Sequence, residues 1–253
     1  MNLFIFNESS QAAVYGIGTY INELIKSVSH SDINLNLVYL YSDNTQILIK
    51  EIDGVHHWHF PMPIRKPQTA PSKKRIEQYY RNIVYLLQLY ITDNEDLIFH
   101  LNYFQNCKLA EELKKAFICK VILTIHSFNW SFEIFDNRQQ LRYILNKEQN
   151  YSLHEGLKKS VEEEKSLYSK VDHIICLSNY MKEILCSEYG LCDSKISIIP
   201  NGLNDSLISI SQEIAGQARN DTVLPGLRSK WNIHNKEKIV LFAGRMDEIK
   251  GLI

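Results

Sequence analysis

The sequence has no long hydrophobic run. No apolar stretch approaches the roughly 18 residues that a membrane-spanning helix requires. The first apolar run, Leu3–Phe6, is short and has no basic residues before it, so it does not have the pattern of a signal peptide. These absences predict a cytoplasmic protein that contacts a membrane at most peripherally, at its inner face.

The sequence also lacks a large net charge and a cysteine framework. The formal net charge is −1, which argues against a general partner such as nucleic acid. The five cysteines are odd in number and include no C-x-x-C pair, and no histidine, cysteine or acidic cluster has metal-ligand spacing. We therefore expect a reducing compartment and no metal site.

Short apolar runs alternate with longer segments of helical period. The predicted strands cover residues 2–6, 35–41, 54–60, 96–102, 120–128, 172–179 and 195–202. The predicted helices cover residues 18–29, 73–90, 107–117, 136–170 in two pieces, and 180–190. The strands are apolar on both faces, as in a parallel sheet covered by helices. The pattern predicts an α/β fold with a doubly wound parallel sheet.

The composition changes after this alternating region, which gives three predicted parts. Residues 1–205 form the α/β domain. Residues 206–237 are polar and poorly periodic, as in a linker or inserted loop, and within them 212–226 resemble a translated intergenic repeat of bacterial reading frames. Residues 238–253 contain one more apolar strand and a glycine turn, which predicts the beginning of a second α/β domain.

A glycine motif follows the first strand. The stretch VYGIGTYINEL (14–24) places Gly16 and Gly18 where a helix begins, and free N–H groups at a helix start favour an anion. Ile21 occupies the place of the third glycine in the dinucleotide fingerprint, so a nicotinamide dehydrogenase is disfavoured. A tight strand–helix connection and a ligand-binding loop both remain open from this motif alone.

Histidines occur at two strand ends. In LTIHSFNW (123–130), His126 falls at the carboxyl end of a core strand, where doubly wound sheets bind ligands, although a single histidine is more often structural. In HHWH (56–59), strand alternation places His57 and His59 on one face. Two histidines on one face could bind a metal ion together, but the sequence has no third ligand at a fitting spacing. A polar strand end is therefore the better interpretation.

A basic, proline-rich segment spans residues 61–81. The simpler interpretation is a solvated loop and helix start, and the alternative is a patch for an anionic membrane face or a phosphate-bearing acceptor. The basic residues assigned to that patch are Arg65, Lys66, Lys73, Lys74 and Arg75.

The last segment carries two cations at a glycine turn. In FAGRMDEIKGL (242–252), Arg245 follows a strand and Lys250 precedes Gly251. A guanidinium can donate two parallel hydrogen bonds and an ammonium acts as a compact positive charge, so together they suit a diphosphate.

Taken in order, these segments resemble glycosyltransferase family 4, the group 1 retaining enzymes of GT-B fold. The resemblance rests on the glycine motif after strand one, on the histidine after VILTI, and on VDHIICLSNYMKEIL, ISIIPNGLND and IVLFAGRMDEIKGL. It implies two facing Rossmann-like domains, the first for the acceptor and the second for the nucleotide-sugar donor.

The resemblance also implies roles for individual residues. Gly16 and Gly18 would lie in the loop near the donor phosphates, and His126 would face the reacting sugar as the catalytic residue. Arg245 and Lys250 would hold the diphosphate of a UDP- or GDP-linked donor, with no cofactor and no metal. The acceptor would be a saccharide or lipid-linked, as in cell-surface polysaccharide synthesis.

The chain ends before the E-x7-E motif that the family carries further downstream. We therefore expect a truncated hexosyltransferase-type enzyme that is inactive alone. Two alternatives stay open: a non-catalytic module that binds a sugar or a lipid head group, and another GT-B protein such as a sugar-nucleotide epimerase.

Overall fold

The computed structural model describes residues 1–8, 16–29, 31–63, 72–92, 96–146 and 152–202. Internal contacts separate Met1–Asn201 from Gly202–Ile253, and the description below concerns the first of these units. The predicted linker and second-domain segment lie outside the described residues, so the three-part division of the chain stays a prediction.

Eight strands form one sheet in the described part of the chain. They are β1 (Asn2–Glu8), β2 (Asn34–Ser42), β3 (Leu48–Ile52), β4 (Val55–Pro61), β5 (Leu97–Leu101), β6 (Lys120–Ile125), β7 (His173–Cys176) and β8 (Ile196–Ile198). Their order across the sheet is β3-β4-β2-β1-β5-β6-β7-β8. Every neighbouring pair is parallel except β3 and β4. The predicted doubly wound α/β fold is confirmed.

Seven α-helices connect or follow these strands among the described residues. They are α1 (Gly16–Val28), α2 (Lys73–Tyr90), α3 (Cys107–Ala116), α4 (Asn129–Glu133), α5 (Arg138–Asn146), α6 (Ser152–Lys170) and α7 (Asn179–Ser187). Short 3-10 turns occur at Phe104–Asn106 and Asp193–Lys195. None of these helices is both long enough and apolar enough to cross a membrane.

The alternation of side chains along β1 explains why helices cover both sides of the sheet. Leu3 and Ile5 point to one face and pack in a cluster with Ile21 of α1. Phe4 and Phe6 point to the other face and join the larger core, which includes residues from α2, α3, α5, α6 and α7. Burying one such aromatic or aliphatic side chain contributes about 1.5–3 kcal/mol, so both faces of β1 stabilise the domain.

Helix α2 begins and ends where the apolar spacing predicts. The Ser72 hydroxyl caps its first turn by accepting a hydrogen bond from the Arg75 N–H at 3.4 Å. Its buried stripe follows the helical period and consists of Tyr79, Tyr80, Ile83, Val84 and Leu87. The helix therefore follows from both its cap and its amphipathic face.

Two predicted details were wrong. Strand β3 was not predicted, and it makes the sheet mixed because it pairs antiparallel with β4 through a two-residue turn. That turn consists of Asp53 (φ 52°) and Gly54 (φ 75°), both left-handed, as a type I′ hairpin requires. The predicted strand 120–128 ends at Ile125, and the chain then turns into the unpredicted helix α4.

Candidate functional site

Three neighbouring parallel strands end at the same edge of the sheet and carry polar residues there. Strand order reverses at β1, which lies between β2 and β5, and such a switch point is where doubly wound sheets bind ligands. Glu8 ends β1, Asn102 follows β5, and His126 follows β6. The structure therefore places the predicted residue His126 at this carboxyl edge.

The ring of His126 is held by Asn102. Its Nε2 lies 3.1 Å from Asn102 Oδ1, and Asn102 Nδ2 donates to the Phe6 carbonyl at 3.1 Å. Because the amide nitrogen already faces a carbonyl, the amide oxygen faces the ring, and His126 Nε2 must donate the hydrogen. Burial lowers the pKa of His126 to about 4, so at neutral pH the ring is neutral and its Nδ1 is an acceptor.

Helix α1 reaches the same site through Tyr20. The Tyr20 ring meets the His126 ring edge-on, with 4.8 Å between centroids, and its hydroxyl lies 3.1 Å from Thr124 Oγ1. Thr124 Oγ1 is also 2.7 Å from His100 Nε2. Burial, reinforced by the charge of His126 when protonated, lowers the pKa of His100 to about 4. These contacts fix the first helix against β5 and β6.

A second polar group lies at the end of β1. Asn106 Nδ2 donates to Glu8 Oε1 at 2.9 Å and to the Tyr80 hydroxyl at 3.4 Å. Burial raises the pKa of Glu8, and the hydrogen bond from Asn106 only partly opposes this. Tyr103 donates to Asn7 Oδ1 at 2.7 Å. This group supplies a carboxyl and hydroxyls beside the switch point.

The two predicted glycines lie inside the first turn of α1 rather than in a loop before it. Gly18 is buried. A Cβ built on Gly16 would meet no atom of the described residues within 4 Å, and its φ is not left-handed. Neither backbone strain nor packing against the described residues therefore requires glycine at Gly16, which is exposed. Their predicted role toward phosphate stays a prediction.

The basic residues of the predicted patch are only partly described. Lys73, Lys74 and Arg75 are exposed in the first turn of α2. The same helix contacts the end of β2 through Tyr79, whose hydroxyl accepts from the Tyr41 N–H at 2.8 Å. The basic turn is therefore on the carboxyl side of the sheet. Arg65, Lys66, Arg245 and Lys250 lie outside the described residues.

The remaining histidine motif forms a stack. His57 and His59 lie on one face of β4, as predicted, with Tyr39 of β2 stacked 4.5 Å from His59 and 5.9 Å from His57. Across the described ranges, no group of three or more histidine, cysteine or acidic side chains is arranged to hold a metal ion.

Sequence reasoning missed Tyr20, Asn102 and Thr124 as members of the His126 site. A usable signal was present for Asn102, because a polar HLN end to the apolar run LIFHLN mirrors the histidine at the end of VILTIH. No local signal marks Tyr20, whose partner Thr124 is 104 residues away.

Comparison with known proteins identifies a family whose profile matches the sequence and solved structures of similar fold. The profile of Glycosyltransferase Family 4 matches residues 14–207. Among solved structures, sucrose-phosphate synthase from Thermosynechococcus elongatus is 15% identical with a TM-score of 0.60, over 98% of this chain and 56% of that chain. A glycosyltransferase from Rickettsia africae is 14% identical with a TM-score of 0.52, over 97% of this chain and 53% of that one.

An α,α-trehalose-phosphate synthase (UDP-forming) from Burkholderia xenovorans, in complex with glucose-6-phosphate, is 13% identical with a TM-score of 0.50. That match covers 92% of this chain and 56% of the synthase. At these identities the likeness establishes the fold alone. The chain spans about half the length of these structures. No curated protein matches the sequence.

Proposed function

Because the chain belongs to Glycosyltransferase Family 4, we propose that it forms the acceptor side of a retaining, hexosyltransferase-type enzyme. The proposed reaction moves a sugar from a UDP- or GDP-linked donor to a saccharide or lipid-linked acceptor, as in cell-surface polysaccharide synthesis. The bond from the sugar to the diphosphate breaks, the nucleoside diphosphate leaves with the electron pair, and the acceptor oxygen bonds to the sugar as its proton is released.

The observation that carries this proposal is the fixed, neutral ring of His126. Its Nε2–H is taken by Asn102, so Nδ1 can accept a hydrogen bond from a hydroxyl of the reacting sugar. A neutral ring binds such a hydroxyl without adding charge to the site. Tyr20 and Asn102 contact the ring directly, and Asn102 is itself bonded to the Phe6 carbonyl. Little freedom is therefore lost when substrate binds.

The proposed donor-binding residues are Gly16 and Gly18 together with Arg245 and Lys250. No atom of the described residues would meet a Cβ at Gly16, and a phosphate would bind the N–H groups at the start of α1. Arg245 and Lys250 would offset the negative charge that builds on the departing diphosphate. Two such cations can supply this stabilisation, so the proposal includes neither metal nor cofactor.

The exposed cations at the start of α2 suit an anionic group on the acceptor. Lys73 and Lys74 lie on the carboxyl side of the sheet, where the acceptor would bind. The glucose-6-phosphate of the Burkholderia synthase complex is one example of a phosphate-bearing sugar bound by this fold. An anionic membrane surface carrying a lipid-linked acceptor would meet the same cations.

The central test concerns His126. Transfer from UDP- and GDP-sugars is assayed on the complete gene product, wild type and His126→Ala, with nucleotide release measured against a protein-free control. We expect roughly a 100-fold or greater loss of turnover in the variant, because a misplaced positioning group has an effect of that order. His57→Ala, in the stack on β4, is the matched control and should keep activity.

Three further measurements test the charged groups. Lys250→Ala should weaken UDP or GDP binding, while Lys50→Ala on β3 should not. The pair Lys73→Ala and Lys74→Ala should raise KM for a phosphorylated acceptor and leave kcat unchanged, whereas Lys115→Ala with Lys120→Ala should leave both KM and kcat unchanged. Equal binding of the pair variant and wild type to anionic vesicles would argue against membrane contact.

A further inference from the structure

A polar cavity of about 180 Å³ opens at the opposite edge of the sheet. It lies at the amino ends of β1, β2 and β4, beside the last turn of α2. Because β1 spans seven residues at about 3.3 Å each, this cavity is roughly 20 Å from the His126 edge. It is therefore separate from the site described above.

The lining combines amide side chains with aromatic rings. Trp58 Nε1 donates to Asn36 Oδ1 at 3.0 Å, and Tyr90 meets Trp58 edge-on with 5.5 Å between centroids. Asn34 Nδ2 donates to Asn2 Oδ1 at 2.8 Å. These bonds orient the amides, and Asn34 and Asn36 can each make further hydrogen bonds, since an amide offers two donors and two acceptor positions.

Two further polar residues, His56 and Thr92, also line the cavity. Thr92 is exposed, and its hydroxyl can both donate and accept a hydrogen bond. The cavity thus offers donors and acceptors beside aromatic surface.

Charge and size restrict the ligand. The described lining contains no lysine, arginine, aspartate or glutamate, so nothing in it offsets a phosphate or a carboxylate. The volume is below the roughly 300 Å³ at which drug-sized pockets begin, which favours a ligand smaller than a nucleotide. One neutral ring bearing hydroxyls suits both this size and the uncharged described lining.

We propose that this cavity binds a single neutral monosaccharide unit, as a subsite remote from the transfer edge. Hydroxyls would exchange hydrogen bonds with Asn34, Asn36 and Thr92, and the C–H face of the ring would pack on Trp58 and Tyr90. The inference stands on the cavity and its lining, and it does not depend on the proposed transfer reaction.

The experiment follows the indole N–H signals of the full 253-residue chain by ¹H–¹⁵N NMR. The sequence has three tryptophans, and Trp58→Phe identifies the Trp58 signal by its loss. If that buried substitution prevents folding, Tyr90→Ala identifies the signal through its shift, because Tyr90 is 59% exposed. Glucose, galactose, mannose and N-acetylglucosamine are titrated at millimolar concentrations, with glucose 6-phosphate for comparison.

We expect a saturable shift of the Trp58 signal with at least one neutral sugar and none with glucose 6-phosphate. Tyr90→Ala should weaken that binding at least fivefold. Tyr85→Ala is the matched control, since Tyr85 is 61% exposed on the same helix and does not line the cavity. The proposal is overturned by unsaturable shifts of all three signals, by the absence of any shift, or by tighter binding of the phosphate.

Discussion

Asn102 holds the ring of His126, with 3.1 Å between Asn102 Oδ1 and His126 Nε2. The same amide donates to the Phe6 carbonyl, so the ends of β1, β5 and β6 are joined through one side chain. The position of the candidate catalytic ring therefore depends on a residue 24 positions away in sequence. Burial lowers the pKa of His126, and the neutral amide adds no charge that would oppose this.

Replacing that amide by a carboxylate should change the charge state of the ring. In Asn102→Asp, a negative charge beside Nε2 favours the imidazolium, so we expect the pKa of His126 to rise from about 4 by at least about one unit. NMR titration of the ring carbons measures this. Asn34→Asp, at the opposite end of the strands, serves as control, and an equal rise in both variants would contradict the direct contact.

The buried histidines should make the domain sensitive to acid. The folded pKa of His100 is lowered to about 4, while in the unfolded chain it is about 6.5. The unfolded state thus takes up the proton first, and stability falls as pH drops from about 6.5 to 4, by up to about 3 kcal/mol for this one group.

Urea unfolding between pH 4 and 7 measures that dependence. His100→Gln still offers Thr124 a polar partner but cannot titrate, so its stability should fall less steeply over this range than that of the wild type. For each protein, the change in the free energy of unfolding is taken relative to its own value at pH 7. Identical slopes for the two proteins would show that His100 is not the source.

Glu164 should make the domain less stable as the pH rises, which is opposite to the effect of His100. It is buried on α6, accepts from the Asn129 N–H at 2.8 Å and from the Tyr189 hydroxyl, and burial raises its pKa despite those bonds. A raised folded pKa means that stability is lost as pH rises above about 4.5.

In Glu164→Gln, Oε1 can still accept from the Asn129 N–H, and Nε2 can donate to the Tyr189 oxygen, so both contacts can persist with the second reversed and without an ionisable group. We expect the variant to become progressively more stable relative to the wild type from pH 4 to 7, measured by urea unfolding. Glu163→Gln, at the neighbouring exposed position, should show no such trend. If the wild type instead became more stable relative to Glu164→Gln as the pH rises, the raised pKa of Glu164 would be contradicted.

Substitution of Gly16 can distinguish a requirement for folding stability from a requirement for nucleotide binding. Because a Cβ there meets no atom of the described residues within 4 Å, Gly16→Ala should leave the melting temperature nearly unchanged. If a phosphate approaches this turn, the same variant should bind UDP or GDP less tightly. Calorimetric melting and nucleotide titration together decide, and unchanged nucleotide affinity would remove Gly16 from the proposed site.

Glu188 joins two arginines of α5. Its Oε1 lies 2.8 Å from Arg138 Nε and 2.7 Å from Arg142 Nη2, and its side chain is only 9% exposed. Glu188→Gln should therefore cost about 1.5–3 kcal/mol in the free energy of unfolding, the range for charged hydrogen bonds. Glu162→Gln, from an exposed pair with Lys165, should cost less than about 1 kcal/mol. Equal losses would contradict the difference in burial.

Local patterns were enough to predict most of the fold. Helix α2 follows from its apolar spacing, and His126 could be placed at a strand end because VILTIH is apolar up to that residue. Strand β3 escaped because all but one of its residues are exposed, so it lacks an apolar pattern. The Asp53–Gly54 pair, which is typical of a type I′ hairpin turn, was the sequence feature from which this strand could have been predicted.

The candidate site was predictable only in part, because its contacts are distant in sequence. Asn102, Thr124 and Tyr20 are brought to His126 by strand order and by the packing of α1, and no local period encodes that order. Local patterns identified His126 and the glycines, and the resemblance to the family assigned them roles, but it named none of the groups that fix the ring.

The order of the strands has a consequence for how the domain is made. The strands from β3 to β1 in the sheet order come from residues 2–61, and the strands from β5 to β8 come from residues 97–198. A chain that leaves the ribosome N-terminus first can assemble the first half-sheet before the second exists. The candidate site lies over the seam between them, so a substrate bound there would join an early-formed half of the protein to a late one.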